Sequence, residues 1–340
     1  MINLRSALLL LCLSAASAPA VAQTKLVFTV FFPPGHFIHK VMQDWAADVE
    51  IATERRVKIE FPAGSLAPPP QQMSAVQSGI ADIAMVANLF IRQKAPLIEF
   101  SSLPWMIDDA EAASQALWSS YSRFLADKKQ FPDVQLLSLF HFSGGYLYSL
   151  QEKAINSTEE LKNRRMWALP GPVADLLKGL GISPITGPAV QVSDSVSRGI
   201  VDGYFGISLE SATDFKAAPY TKAITHFPRA VTSTSFSMFM NKSKWASLSE
   251  KDRAAILAVA GGKLAVRTGK AANRAAAEAL ATMTKEGIKV YEAAPSFYAD
   301  LQKAAESQYR QYYQTASANG VDGKLLVEFF LKEYDAAAKH

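Results

Sequence analysis

Cysteine is almost missing from this sequence: Cys12 stands alone in 340 residues. A disulfide framework is thereby excluded, and beyond Cys12 so is thiolate chemistry. No later stretch offers some 18 apolar residues free of charge, so no membrane-spanning helix is expected. Charge of one sign is also scarce: 35 Lys and Arg against 31 Asp and Glu leave a formal +4, with no basic cluster. That balance argues against a nucleic-acid partner. The motifs G-x-S-x-G, H-E-x-x-H, G-x-x-x-x-G-K-[ST] and G-x-G-x-x-G are all lacking, which removes the commonest hydrolase, zinc-protease and nucleotide-binding signatures. Of the five histidines only His36 and His39 are near neighbours, at a spacing that places two imidazoles on one helix face. No cysteine or closely spaced acid completes a ligand set around them, so neither a metal nor a cofactor is expected.

What is present begins with an export signal. Arg5 precedes the short apolar run Ala7 to Leu13, and Ala20-Val21-Ala22 has the A-x-A form of a cleavage site. The run is too short to span a bilayer, so residues 1–22 read as a removed signal peptide, with the mature chain starting at Gln23 in the periplasm. Leu10 and Leu11 before Cys12 do not suit lipidation, which needs small residues there. Removal of Arg5, the one charged residue of that segment, takes the formal charge to +3. The 318 residues that follow are more than one simple core organises and suit two lobes.

Along the mature chain, strand and helix signals alternate. Lys25 to Phe32 reads as a buried strand, stopped by Pro33-Pro34-Gly35. Val41, Trp45 and Val49 make an apolar stripe on a helix from about His39 to Arg56. Val57 to Phe61, a helix opened by Pro68-Pro69-Pro70, and a strand from Ala81 to Ala87 complete a β-α-β-α-β section. That is the grammar of a parallel sheet covered by helices. A second such section follows: strands at Val134 to Phe140, Arg165 to Ala168 and Val201 to Phe205, with a weaker one at Ser149 to Ile155, and helices at Val173 to Leu180 and Val190 to Gly199. Then come a strand at Phe236 to Met240, a long helix capped by Ser249 and interrupted at Gly261-Gly262, a short strand at Ile288 to Tyr291, and two final helices. The glycine pair predicts a bend in the long helix.

Six stretches, taken in order, resemble the periplasmic solute-binding subunit of TRAP transporters, the DctP-type family. They are PPGHFIHKVMQDWA (33–46), VQSGIADIAMV (76–86), LPWM (103–106), INSTEELKNRRMWALPGP (155–172), GIVDGYFG (199–206) and MNKSKWASLSEKDRAAI (240–256). The likeness covers about residues 25 to 290. It implies an α/β, two-lobed periplasmic-binding-protein-like fold with hinge strands and a long bracing helix. It also implies capture of a small organic solute in a cleft, delivery to membrane permease subunits, and no catalysis. One lobe is expected from residues 23–147 plus 234–270, the other from 148–233 plus 271–340 with the C-terminal helices.

The chain departs from the family at the ligand's expected anchors. Where most members carry an arginine for the ligand carboxylate, this sequence has Trp167; a second position, often basic, matches Tyr146. One reading is an aromatic cleft for a neutral aromatic or cationic solute, held by stacking or cation–π contact. The other is that Arg165, two residues away on the same strand face, pairs with a carboxylate while Trp167 packs in the core. Further candidates follow from the matching segments: Phe32 and His36 after the first strand, Asn88 and Phe90 after the third, Trp105, Tyr204 with Phe205, and Phe236. Most lie at strand carboxyl ends, where open α/β sheets bind ligands. Glu210 is the one nearby acid able to meet a cation, although a place on a helix surface is the expectation for it. Two alternatives share the sequence: a binding protein that presents its ligand to a membrane sensor, and a secreted enzyme built on Ser143 and His141.

Overall fold

The computed structural model describes residues 23–339; the expected signal segment lies outside them. The first lobe starts with β1 (Thr24–Thr29), α1 (Phe37–Ala52) and β2 (Val57–Glu60), the two strands pairing in parallel. His36 caps α1, its ring accepting from the Ile38 N–H, and Ile38, Val41, Met42, Trp45 and Val49 bury one face. The Pro-rich segment forms a single 3₁₀ turn before α2 (Gln72–Gln77), and β3 (Ile83–Ala87) returns parallel to β1. Ile83 and Met85 face one core cluster, while Ala84 and Val86 face another. A parallel sheet covered on both faces requires such a strand, apolar at every position.

After α3 (Ala110–Ser120) comes β4, a single strand of 16 residues from Val134 to Ser149. Its first half pairs antiparallel with β9 (Ser233–Asn241), which in turn pairs with β3, so the first sheet runs β2-β1-β3-β9-β4. Its second half enters the other lobe, between β7 (Gly203–Ser208) and β8 (Ala223–His226). There β5 (Met166–Ala168) lies parallel to β7, β6 (Ile185–Thr186) parallel to β5, and β10 (Lys289–Glu292) parallel to β8. The helices α4 (Thr158–Lys162), α5 (Pro172–Gly179), α6 (Val192–Ser197) and α7 (Leu209–Asp214) connect these strands. The pairing of β4 with β9 shifts between His141 and Gly144, where the chain passes from lobe to lobe. A Cβ on Gly145 would stand 2.5 Å from the Gly206 carbonyl oxygen, so only glycine permits this approach of β4 to β7.

The sequence placed a strand at Ser149 to Ile155; the structure instead extends β4 to Ser149 and turns. Ser149 Oγ binds the Gln151 N–H and the carbonyls of Gln151 and Lys153, which closes the turn. The expected bend at Gly261-Gly262 is a break: after α8 (Lys242–Ser247), α9 (Glu250–Val259) stops at an extended Ala260, and α10 (Gly261–Lys285) starts anew. Gly261 has φ 57° and lies so close to Trp118 that a Cβ would come within 2.8 Å of its ring. The helix α10 packs on α1, α3 and β4 and reaches α7, bracing both lobes. The two last helices are α11 (Pro295–Ala318) and α12 (Gly323–Ala337). Phe297 and Leu301 of α11 join the second lobe's cluster, whereas Tyr312 of α11 and Leu326 and Phe330 of α12 join the first lobe's.

Candidate functional site

A cavity of about 490 Å3 opens where the two lobes meet. Its walls follow from strand ends. β1 delivers Phe31 and Phe32, β3 delivers Leu89 and Phe90, β5 delivers Leu169, and β7 delivers Ile207 and Ser208 with Ser211 and Phe215 just beyond. Phe142 of β4 and Thr234 and Phe236 of β9 close it from the crossing strands. Placement at the carboxyl ends of parallel strands is the general rule for such sheets. The phenylalanines form one connected ring system: Phe32 lies 5.9 Å from Phe215, 5.4 Å from Phe142 and 5.9 Å from Phe236, and Phe142 lies 4.3 Å from Phe236. The polar wall is limited to hydroxyls. Ser208 donates to Ser211 at 2.9 Å, and among the described residues no charged side chain lines the cavity.

Of the residues singled out from sequence, Phe32, Phe90 and Phe236 line this cavity. His36 sits one layer behind, its ring 4.3 Å from Phe32, 5.5 Å from Phe142 and 6.1 Å from Phe215. Burial, and secondarily the charge of His39, pushes its pKa down to about 3, so the ring is neutral. His39 instead meets the Phe32 carbonyl at 2.8 Å, and the described residues hold no cluster of three potential metal ligands. Asn88 is a brace between β3 and β9: Nδ2 donates to Ser235 Oγ at 2.9 Å and Oδ1 accepts from Ser237 Oγ.

The others lie elsewhere. Trp167 is 1 % exposed and lies in the second lobe's core beside Tyr204, its neighbour across β5 and β7. Tyr204 stacks on Tyr148 at 4.2 Å and shares a 2.7 Å hydrogen bond with Thr221. Phe205 faces the opposite side of the same sheet, and Trp105 packs against Phe227 and Tyr298. Tyr146 is half-buried beside His226. Arg165 does not enter the cavity either. Its side chain is 63 % exposed and makes a two-pronged pair with Asp202, from Nε at 3.0 Å and Nη2 at 2.8 Å.

Glu210 corrects the expectation of a surface acid. It is 3 % exposed, and Ser143 donates to its Oε2 at 2.6 Å while Oε1 has no partner. Burial pushes its pKa up to about 7, opposed by the hydrogen bond from Ser143. This pairing also separates Ser143 from His141, whose Nδ1 meets Ser233 at 2.9 Å. A nucleophile and base on that strand are therefore not joined. The walls that sequence reading missed are chiefly Phe31, Phe142, Phe215, Ser211 and Thr234. Phe31 adjoined a chosen residue at a strand end; Phe215 carried no local signal.

The family model for bacterial extracellular solute-binding proteins, family 7 (DctP), matches residues 28–316. The chain belongs to this family. Its members are binding proteins, and the two-lobed architecture with a solute cleft is theirs. A curated relative, the outer membrane transporter protein TsaT of Comamonas testosteroni, is 30% identical, with 94% of this chain and 96% of TsaT covered. A TRAP solute-binding protein from a marine metagenome, described as specific for aromatic acid ligands and solved with 3-hydroxybenzoate, is 27% identical at a TM-score of 0.84, covering 93% of this solute-binding protein and 99% of that one. The TRAP periplasmic protein of Bordetella bronchiseptica with bound mandelate shares the fold at a TM-score of 0.87 and 23% identity, over 92% of this chain and 99% of its own.

Proposed function

We propose that this extracytoplasmic solute-binding protein captures a small organic solute bearing an aromatic ring and hands it to the membrane subunits of a TRAP-type transporter. The observation that carries the reading is the cavity itself. It is walled by phenylalanines from the first lobe, the second lobe and both crossing strands, so a ring placed there touches every moving part at once. Stacked and edge contacts of that kind add to the burial of apolar surface. Binding that bridges both lobes favours the closed state in proportion to its extra contacts there. The relatives described with aromatic acids support the same solute class.

A cation is disfavoured, because the nearby Glu210 carboxyl is held by Ser143 and keeps its proton to near pH 7. A carboxylate held by Arg165 is disfavoured because that guanidinium is committed to Asp202. The chain acts as a binder, not a catalyst, and reaches the periplasm through cleavage after Ala22. Residues 23–147 with 234–270 form one lobe and 148–233 with 271–340 the other, β10 and the start of α11 included, except that the end of α11 and α12 pack on the first.

A thermal-shift screen of the purified protein tests this against aromatic acids and neutral aromatics, aliphatic carboxylates and sugar acids, and amines. A solute at a hundred times its Kd adds about 2.7 kcal/mol. Shifts confined to ring-bearing compounds support the reading; shifts only with aliphatic acids or amines overturn it.

A further inference from the structure

A second, smaller and narrow cavity adjoins the phenylalanine chamber, sharing Leu89, Leu169 and Thr234 with it. Its chemistry differs. Ser102, Thr232, Thr234 and Ser235 bring four hydroxyls to its wall, and no charged side chain does. The hydrogen bonds behind that wall have a direction. Ser237 donates to Asn88 Oδ1, which turns the amide so that Nδ2 donates to Ser235 Oγ at 2.9 Å. Thr232 Oγ1 donates to the Ser102 carbonyl at 3.0 Å. The hydroxyls of Ser102 and Ser235 lie 3.1 Å apart, so one donates to the other. Whichever does, one hydroxyl hydrogen of the pair is left without an acceptor among the described residues. The half-buried Thr234 hydroxyl, at the junction of the two cavities, supplies another, with no side-chain partner among the described residues. The annex thus presents uncharged O–H donors that lack an acceptor, and such groups seek one.

We infer that the annex is the head-group pocket of the solute site: the ring fills the phenylalanine chamber while an oxygen acceptor attached to it meets the hydroxyls of Thr234, Ser102 and Ser235. This rests on the aromatic-solute reading above. It assigns a role to the uncharged walls left by the absence of an arginine from the cavity. Hydroxyls bond a carboxylate more strongly than an amide, but with no countercharge the carboxylate costs more to desolvate, so an acid and its uncharged amide bind comparably and added salt matters little.

Calorimetric titration of the purified protein with benzoate, mandelate and 3-hydroxybenzoate, and with their primary amides, tests this. Each acid and its amide should bind within about tenfold of one another. Thr234→Val should weaken both about tenfold and Thr234→Ser should restore them, with unliganded melting temperatures confirming the fold. A preference of more than about a hundredfold for the acid, falling steeply with salt, would mean that a charged group reads the head and overturns the inference. If the probes bind and Phe215→Ala weakens them, but Thr234→Val and Ser235→Ala change nothing, the annex assignment falls and the chamber reading stands. If none of the probes binds the unmodified protein, both fall together.

Discussion

Trp167, Tyr204 and Tyr148 stand in a row across β5, β7 and β4; Phe32, Phe142, Phe215 and Phe236 stand around a cavity a short distance away. All seven belong to one continuous core cluster that runs through both lobes. The first set is closed: Tyr204 and Tyr148 stack 4.2 Å apart, and every member is 1 % exposed or less. The second encloses open space. What separates them is place: the first set stands inside one sheet, the second where the two lobes meet. Trp167 and Tyr204 sit within strands, where neighbouring strands and covering helices fill the surroundings. Phe32 and Phe215 lie past strand ends, where the sheet stops and each ring helps cover the other from the opposite lobe, while Phe142 and Phe236 stand on the crossing strands.

The contrast is broken most severely by Trp167→Ala. Removing a fully buried indole should cost about 3–5 kcal/mol of stability while leaving solute affinity of the folded protein unchanged. Denaturant unfolding and titration measure the two separately, and a large affinity loss with little destabilisation would put Trp167 back in the cleft.

The pH dependence is the next effect in size. In the unfolded chain Glu210 titrates near its ordinary value of 4.5, but in the native state burial holds its proton to about 7. Between those values the native state binds more protons, so this group's contribution to stability falls as pH rises through the interval. Glu210→Gln should remove that slope and stabilise the protein above pH 7 by up to ~3 kcal/mol. His36 and His141 act oppositely. Burial holds both pKa values down to about 3, so the unfolded chain takes up protons first and stability is lost as pH falls from 6.5 towards 3. Unfolding followed across pH checks both limbs.

Smaller still, Phe215→Ala should weaken an aromatic solute by ~1.5–3 kcal/mol, the value of burying one such side chain against it. The loss of stability should be less than for Trp167, since its ring already borders open space. The smallest effect is expected at Arg165→Ala. Its pair with Asp202 is solvent-exposed, so solute affinity should not change and the melting temperature should move only slightly.

The order of elements was readable because period and punctuation carry it: the alternation through β3, the stripe on α1, the Ser249 cap and the glycine break all fall where the residues indicate. The cavity wall was readable only in part. Phe32, Phe90 and Phe236 were reached by the rule that ligands gather at strand ends, and Phe31 was one residue away. Trp167 and Tyr146 were chosen by alignment to positions that elsewhere hold cations, yet an indole without a charge has no need of the cleft and is better buried. Phe215 and Thr234 depend on how β7 and β9 approach across the lobes, which a linear pattern does not encode. Glu210 was misplaced because its partner, Ser143, is supplied by a strand 67 residues earlier.

The 16-residue strand β4 belongs to both sheets, and α10 and α11 touch both lobes, so neither lobe is a contiguous stretch of chain. No single cut in the chain yields two pieces that are each one lobe, and the long stretch 148–233 still needs β10 and the start of α11 to complete its lobe. Substitutions at the cavity wall alter its lining without disturbing the elements the two lobes share, so the lining can vary on a frame inherited whole.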